Sequence, residues 1–355
     1  MFRGILQMKK YKKIVLYVLA MMFMVIFTIP ANAADAKMSI SQISLLPGET
    51  YSLTIENNMD TVKWSTSSRK IARVSSKGKV RAVAPGKAEI TATIGKQSYT
   101  CTVQVRSSVD IIVFCGQSNM TGVGNAASAP TLTQGAGYAF NYVTNRKNFP
   151  VLKEPFGYGQ DDSYFANADY CKGSMVTAFA NAYYKQTNTP IIAVPASCVG
   201  TGSVSWVDTR YKGVIKRVNA AVKLAKKKGL TVGHVYMVWM QGENDAFADM
   251  KASMHKKNLT NMVSKIMRKT LVEKCMIISI ANYAKDADIA KNFKRIQKAQ
   301  KSLCNTNENF IMISTKATTL SESSFREDGI HILQDGLNKI GTEAGRKAGK
   351  YTKTH

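Results

Sequence analysis

The sequence predicts an α/β domain built on a parallel sheet, preceded by a small all-β sandwich. Three observations predict this. From Val109 onward, short apolar runs alternate with longer segments of helical period, the pattern of a parallel sheet covered by helices on both faces. Residues 38–106 instead hold short β-rich segments separated by the turn signals Pro47-Gly48, Ser76-Lys77-Gly78, Pro85-Gly86 and Gly95, as a sandwich requires. Two of the apolar runs, Val109–Cys115 and Tyr236–Met240, stop abruptly in glycine and polar residues. Open α/β sheets place their ligands at such strand ends.

The elements follow in order. Lys9, Lys10, Lys12 and Lys13 precede an apolar run from Ile14 to about Ile29, and Ala31-Asn32-Ala33 closes it. A basic region, an apolar core and an Ala-x-Ala site define a secretory signal peptide, here residues 1–33. The run is short of the ~20 residues that a membrane span needs, so cleavage and no stable membrane insertion are expected. In residues 37–106 the strands read as Thr50–Ile55, Val62–Ser65, Ala72–Val74, Val80–Ala84, Ala88–Ile94 and Ser98–Val105. Ser107-Ser108 is a short polar joint to residues 107–355. There the strand Val109–Cys115 is followed by a polar stretch, Thr121–Cys171, read as loops. Helices are expected at Ser174–Lys185, Gly213–Lys228, Ala246–Leu271, Ile289–Leu303 and Gly336–Tyr351. Further strands are expected at Pro190–Pro195, before Gln241, at Cys275–Ile280 and at Phe310–Ser314.

The chain carries a formal net charge of +26. Residues 37–106 hold 11 basic and 4 acidic groups, and residues 107–355 hold 33 and 18. No nucleic-acid motif accompanies this excess, so nucleic acid is not the expected partner. Export points to anionic polymers of a cell envelope or to acidic glycans, and solvated helix faces such as Lys223–Lys228 account for individual clusters. Of six cysteines, Cys115 and Cys275 lie in apolar strand patterns and Cys101 is alone in the first segment, leaving Cys171 and Cys198 as the candidate pair for a bridge. No Cys-x-x-Cys pair or other ligand-spaced cluster suggests a metal, and no cofactor is expected.

Ser118 follows a buried strand directly and is a candidate nucleophile. Asp328-Gly329-Ile330-His331 places a carboxylate and an imidazole on one tight turn, a candidate base with its orienting acid. Met120 stands where a nucleophile elbow would carry its second glycine, which disfavours the α/β-hydrolase arrangement. Among the four histidines, His355 is terminal, His234 begins a strand, and His255, within Met254-His255-Lys256-Lys257, reads as a surface residue.

Four blocks carry a resemblance: Gly116-Gln117-Ser118-Asn119, Gly200-Thr201-Gly202-Ser203-Val204-Ser205-Trp206, Gln241-Gly242-Glu243-Asn244-Asp245, and Asp328-x-x-His331. Together they resemble the SGNH hydrolases, in the sialate O-acetylesterase and acetylxylan esterase branch of carbohydrate esterases. The resemblance implies a flavodoxin-like fold with a five-stranded parallel sheet. It also implies a secreted or cell-wall-associated serine esterase that removes acetyl groups from carbohydrates. Ser118, Asp328 and His331 would be the triad. The oxyanion donors would be the backbone of Ser118 and Gly200 with Gln241 or Asn244, and Gln117, Trp206 and Glu243 would meet the substrate. Tyr158 and Tyr164 are further aromatics that could stack on a sugar. Glu243 and Asp245 could also be read as a glycosidase pair, though carboxylates so placed more often support or cap. The alternative class is a non-catalytic envelope- or glycan-binding protein on a degenerate hydrolase scaffold. Leu46-Pro47-Gly48, Val62-Lys63-Trp64-Ser65, Ile71-Ala72-Arg73-Val74 and Pro85-Gly86-Lys87-Ala88 resemble the group 2 bacterial Ig-like domain, with Trp64 a core residue.

Overall fold

A computed structural model describes residues 35–167 and 169–355. The expected signal peptide, residues 1–33, lies outside the described residues. Nine strands form the first region: β1 (Lys37–Met38), β2 (Gln42–Leu45), β3 (Thr50–Ser52), β4 (Ile55–Glu56), β5 (Lys63–Thr66), β6 (Ala72–Val74), β7 (Lys79–Ala82), β8 (Gly86–Ile94) and β9 (Gln97–Val105). They pair in the orders β2-β9-β8-β5, β3-β7-β6 and β1-β4. The alternate residues Val80 and Ala82, Ala88 and Ile90, and Cys101, Val103 and Val105 point into one core, with Trp64 packed against it.

The second region is a single parallel sheet of β10 (Ser108–Gly116), β11 (Gly137–Ala139), β12 (Ile191–Ser197), β13 (Thr231–Met240), β14 (Lys274–Ile278) and β15 (Phe310–Ser314), in the order β11-β12-β10-β13-β14-β15. The sheet therefore has six strands, not five. The extra strand is β11, three residues within the stretch read as loops, and it pairs in parallel with β12 at the edge of the sheet. The central strands are buried on both faces, which explains their unbroken apolar runs. The longer helices and those beside the strand ends are α1 (Ser118–Thr121), α2 (Val176–Thr187), α3 (Tyr211–Lys227), α4 (Glu243–Phe247), α5 (Ala252–Met267), α6 (Ala287–Thr306) and α7 (Gln334–Thr352). Residues of α2 and α7 fill the core on one face, and residues of α3, α5 and α6 fill it on the other. The expected helix Ala246–Leu271 is divided into α4 and α5 by a turn at Asp249, a non-glycine residue with positive φ. Among the described residues, no helix is long and apolar enough to cross a membrane.

The chain leaves β10 toward β12 on one side and β13 on the other, so the sheet reverses its winding at β10. Open sheets form their ligand crevice at the carboxyl ends flanking such a point, and Ser118 lies there.

The two regions do not meet only at Ser107-Ser108. Leu46 is buried within the α/β core. The Tyr138 hydroxyl on β11 donates to Glu49 at 2.8 Å, and the Gln134 amide donates to the Ser44 carbonyl at 2.7 Å. Arg106 donates to the Tyr184 hydroxyl at 2.6 Å and to Asn188 at 2.9 Å. These contacts gather at the amino ends of the strands, away from Ser118. All six cysteines are free, so Cys171 and Cys198 are not bridged.

Removing the Leu46 side chain leaves a cavity at this junction. Leu46→Ala should destabilise folding by about 2 kcal/mol, the low end for a buried leucine. Thermal melting measures the loss, and ester hydrolysis per folded molecule should be unchanged. A variant with wild-type melting would show that the junction adds no stability.

Candidate active site

Gly116 ends β10 with φ of +148°, and a Cβ there would lie 2.0 Å from the Met240 carbonyl oxygen. Only glycine fits, and the chain turns here directly into α1. Ser118 opens that helix, 3% exposed, in the first turn where backbone N–H groups lack intrahelical acceptors. Its Oγ lies 3.0 Å from His331 Nε2, and His331 Nδ1 lies 2.6 Å from Asp328 Oδ2. The turn carrying both is closed on itself. Arg326 N–H donates to the His331 carbonyl at 2.8 Å, and Gly329 bends the chain with φ of +71°. Asp328 Oδ1 accepts the N–H groups of Ile330 at 2.8 Å and His331 at 2.9 Å. Burial pushes the Asp328 carboxyl up, but these N–H groups and the imidazole outweigh it and hold it below the usual carboxylate range.

Asn119 binds the serine and histidine segments together. Its amide donates to Glu243 at 2.9 Å and to the Ile330 carbonyl at 3.1 Å, and its oxygen accepts the Ile332 N–H at 3.0 Å. Burial pushes the Glu243 carboxyl up, and the Asn119 bond counters this only in part. Glu243 Oε2 is buried without a partner among the described residues.

The loop after β12 carries Gly200, exposed on a turn with φ of +66°. Asn167 fixes its start by donating to the Ser197 carbonyl at 2.6 Å and accepting from the Val199 N–H at 3.0 Å. Thr201 Oγ1 donates to the Cys198 carbonyl at 2.7 Å and accepts from Trp206 Nε1 at 2.9 Å.

The structure places the other candidate residues, and it corrects the reading of His255. Gln117, Trp206 and Glu243, expected at the substrate, are each at most 2% exposed, as is nearly true of Ser118 itself at 3%. Trp206 packs edge-on against Trp239, with ring centroids 4.8 Å apart, instead of facing a sugar. Gln241 is also fully buried. Its amide nitrogen is committed to the Thr201 carbonyl at 3.1 Å, so it braces the loop. Asn244 is half-buried, and its side chain makes no hydrogen bond among the described residues. Glu243 and Asp245 are both buried, and each is bonded to a neighbouring side chain, Glu243 to Asn119 and Asp245 to His255. Tyr158 is exposed, and Tyr164 is half-buried against α3. His255 is not a surface residue: it is 0% exposed, and its Nδ1 lies 2.6 Å from Asp245 Oδ2. His234 pairs with Glu273 at 2.9 Å near the amino end of β13. Sequence reasoning missed Asn119 and Asn167 as supports, although Asn119 stood beside the serine in the first block. Among the described residues, no group of three or more His, Cys, Asp or Glu side chains is arranged to hold a metal ion.

The chain belongs to the carbohydrate esterase family described as sialic acid-specific acetylesterase, which matches residues 108–350. Residues 36–105 match the group 2 bacterial Ig-like domain. The chain is thus a carbohydrate O-acetylesterase by family. No curated protein matches it. Among solved structures, a protein from Arabidopsis thaliana shares 18% identity and the fold, with a TM-score of 0.52 over 69% of this chain and 98% of that one. An acetylxylan esterase from Geobacillus stearothermophilus aligns at 13% identity, over 67% and 93% of the two chains, with a TM-score of 0.42. A carbohydrate acetylesterase from Xanthomonas citri aligns at 13% identity, over 90% and 76%, with a TM-score of 0.45.

The buried supports can be tested at two positions. Asn119→Ala frees the histidine turn from the serine helix, and a shift of about 1 Å at reacting groups can cost 100-fold in rate. A loss in kcat of that order, in a protein with unchanged circular dichroism, is expected; wild-type kcat would refute the tie. The other position is Glu243. Its folded-state pKa is raised above the unfolded value of ~4.3, so the folded state holds the proton longer and stability falls as pH rises from about 4 through the folded pKa. Glu243→Gln has no such titration. Its melting temperature relative to wild type should rise across that interval and then level, whereas a constant offset would mean that Glu243 does not titrate there.

Proposed function

We propose that this protein is an exported serine esterase that removes O-acetyl groups from carbohydrates through a covalent acetyl-serine. The observation that carries the reading is the unbroken chain from Ser118 Oγ to His331 to Asp328, at 3.0 and 2.6 Å. A degenerate scaffold would have no reason to keep it.

In the first step Ser118 Oγ attacks the acetyl carbonyl, while His331 Nε2 accepts the serine proton. His331 Nδ1–H donates to Asp328, whose carboxylate fixes the ring and stabilises the imidazolium. The negative charge on the carbonyl oxygen is met by the backbone N–H groups of Ser118 and Gly200, with Asn244 the side-chain amide not committed elsewhere. Each such donor typically contributes about 100- to 1000-fold in rate. The imidazolium then protonates the departing sugar hydroxyl. Water, deprotonated by the same imidazole, releases acetate and restores the serine.

The leader-like residues 1–33 and the Ig-like region fit an extracellular or wall-associated enzyme. Arg146, Lys147, Lys223, Lys227 and Lys228 line one cavity, and Lys256, Lys291, Lys294, Arg295 and Lys298 line another. Such clusters suit anionic wall polymers, through attraction that salt screens.

The test is acetate release by the purified protein from a chromogenic acetate ester, and from acetylated xylan, pectin, sialic acid and peptidoglycan. At least one glycan should be deacetylated, and Ser118→Ala should lower kcat by about 10⁴-fold or more. Wild-type rates equal to buffer, or a fully active alanine variant, would sink the reading.

A further inference from the structure

Asp245 and His255 form a second carboxylate–imidazole pair, fully buried, apart from the partly exposed one beside Ser118. It sits under the loop that carries Gly200. Asp245 Oδ2 meets His255 Nδ1 at 2.6 Å, and Asp245 Oδ1 accepts the Ser203 N–H at 2.8 Å. A Cβ on Gly202 would lie 2.9 Å from that Oδ1, so the glycine lets the carboxylate rest against the loop backbone. One turn along α5 from His255, Asn258 donates to Ser203 Oγ at 3.0 Å. The pair is fully enclosed, and His255 Nε2 has no partner among the described residues. Its only side-chain hydrogen bond is therefore the one to Asp245. An isolated buried carboxylate is costly and tends to neutralise, whereas one held by an imidazole and a backbone N–H keeps its charge and its position. The Asp245 carboxyl is accordingly held below the usual range, with these bonds outweighing its burial.

We propose that His255 is a positioning residue: through Asp245 it holds the Gly200–Ser203 loop so that the Gly200 N–H meets the developing oxyanion. The proposal rests on the esterase reading, because an oxyanion donor matters only to acyl transfer. A donor bond that forms only in the transition state raises kcat and leaves substrate binding nearly alone.

The test compares His255→Leu, which leaves Asp245 without its partner, with His255→Asn, whose Nδ2 stands where the histidine Nδ1 stood. Both are assayed on a chromogenic acetate ester, with kcat expressed per Ser118 titrated by a fluorophosphonate. Hydrogen exchange of residues 198–206 is followed in parallel. The leucine variant should lose about tenfold or more in kcat per titrated site, part of what a whole donor contributes. Its KM should stay within roughly threefold of wild type, as expected for an interaction absent from the ground state. The loop should also exchange faster. The asparagine variant should recover most of the rate and the protection. Unchanged kcat per titrated site in the leucine variant, even with fewer titratable sites, would reduce His255 to core packing and overturn the proposal. Wild-type protein that releases no acetate from any ester would instead remove the esterase reading. In that case the oxyanion part of the proposal falls with it, and exchange at 198–206 decides whether His255 holds the loop: unchanged protection in the leucine variant overturns that hold, and lost protection supports it.

Discussion

The amide of Asn119 is the constraint on which the active centre depends. Ser118 at the end of β10 and His331 on the turn before α7, the proposed nucleophile and base, are brought together by folding, but nothing in strand or helix geometry fixes their separation to a hydrogen bond. Asn119 does so by gripping backbone on either side of His331, at Ile330 and Ile332, while it stands next to Ser118. Its remaining donor reaches Glu243, so the segment after β13 joins the same knot. Three loops from three parts of the chain thus share one buried side chain. In a buried setting such a tie is strong when every member is satisfied and costly when one is lost.

The centre has a second layer of the same kind. Gln241, Trp206, Asn167 and Asp245 all hold the loop from Cys198 to Ser203 by hydrogen bonds. The polar residues of the second and third blocks therefore serve geometry more than contact. A site that must hold donors where charge develops needs supports that do not relax, and enclosure under the loop provides them.

The three groups proposed to react, and their convergence, were legible in the sequence because each carries a local signal. Ser118 ends an apolar run, and Asp328 and His331 flank a glycine turn. The supports are not local. Asn119 bonds to backbone atoms more than two hundred residues away, and a main-chain carbonyl leaves no trace in residue identity. The strand β11 was hidden by its length and by the glycine-rich polar stretch around it; its pairing to β12 came from tertiary context. His255 could have been found. With Asn258, Leu259, Met262, Val263 and Ile266 it falls on the stripe of α5 that a helical period would bury. The adjacent Lys256 and Lys257 drew attention to the opposite face.

The junction between the two regions has a mechanical consequence. Leu46 and Arg106 lock the Ig-like region to the amino ends of the sheet strands, while Ser118 opens at their carboxyl ends. The sandwich is consequently a handle of fixed bearing, not a tether. If its free end is held by a wall or a surface, the face that carries Ser118 points one way at one stand-off distance, and a site proposed there reaches substrate by the motion of the whole particle or of the polymer. Such an enzyme trades the searching volume of a flexible linker for a constant angle of approach to whatever lies opposite.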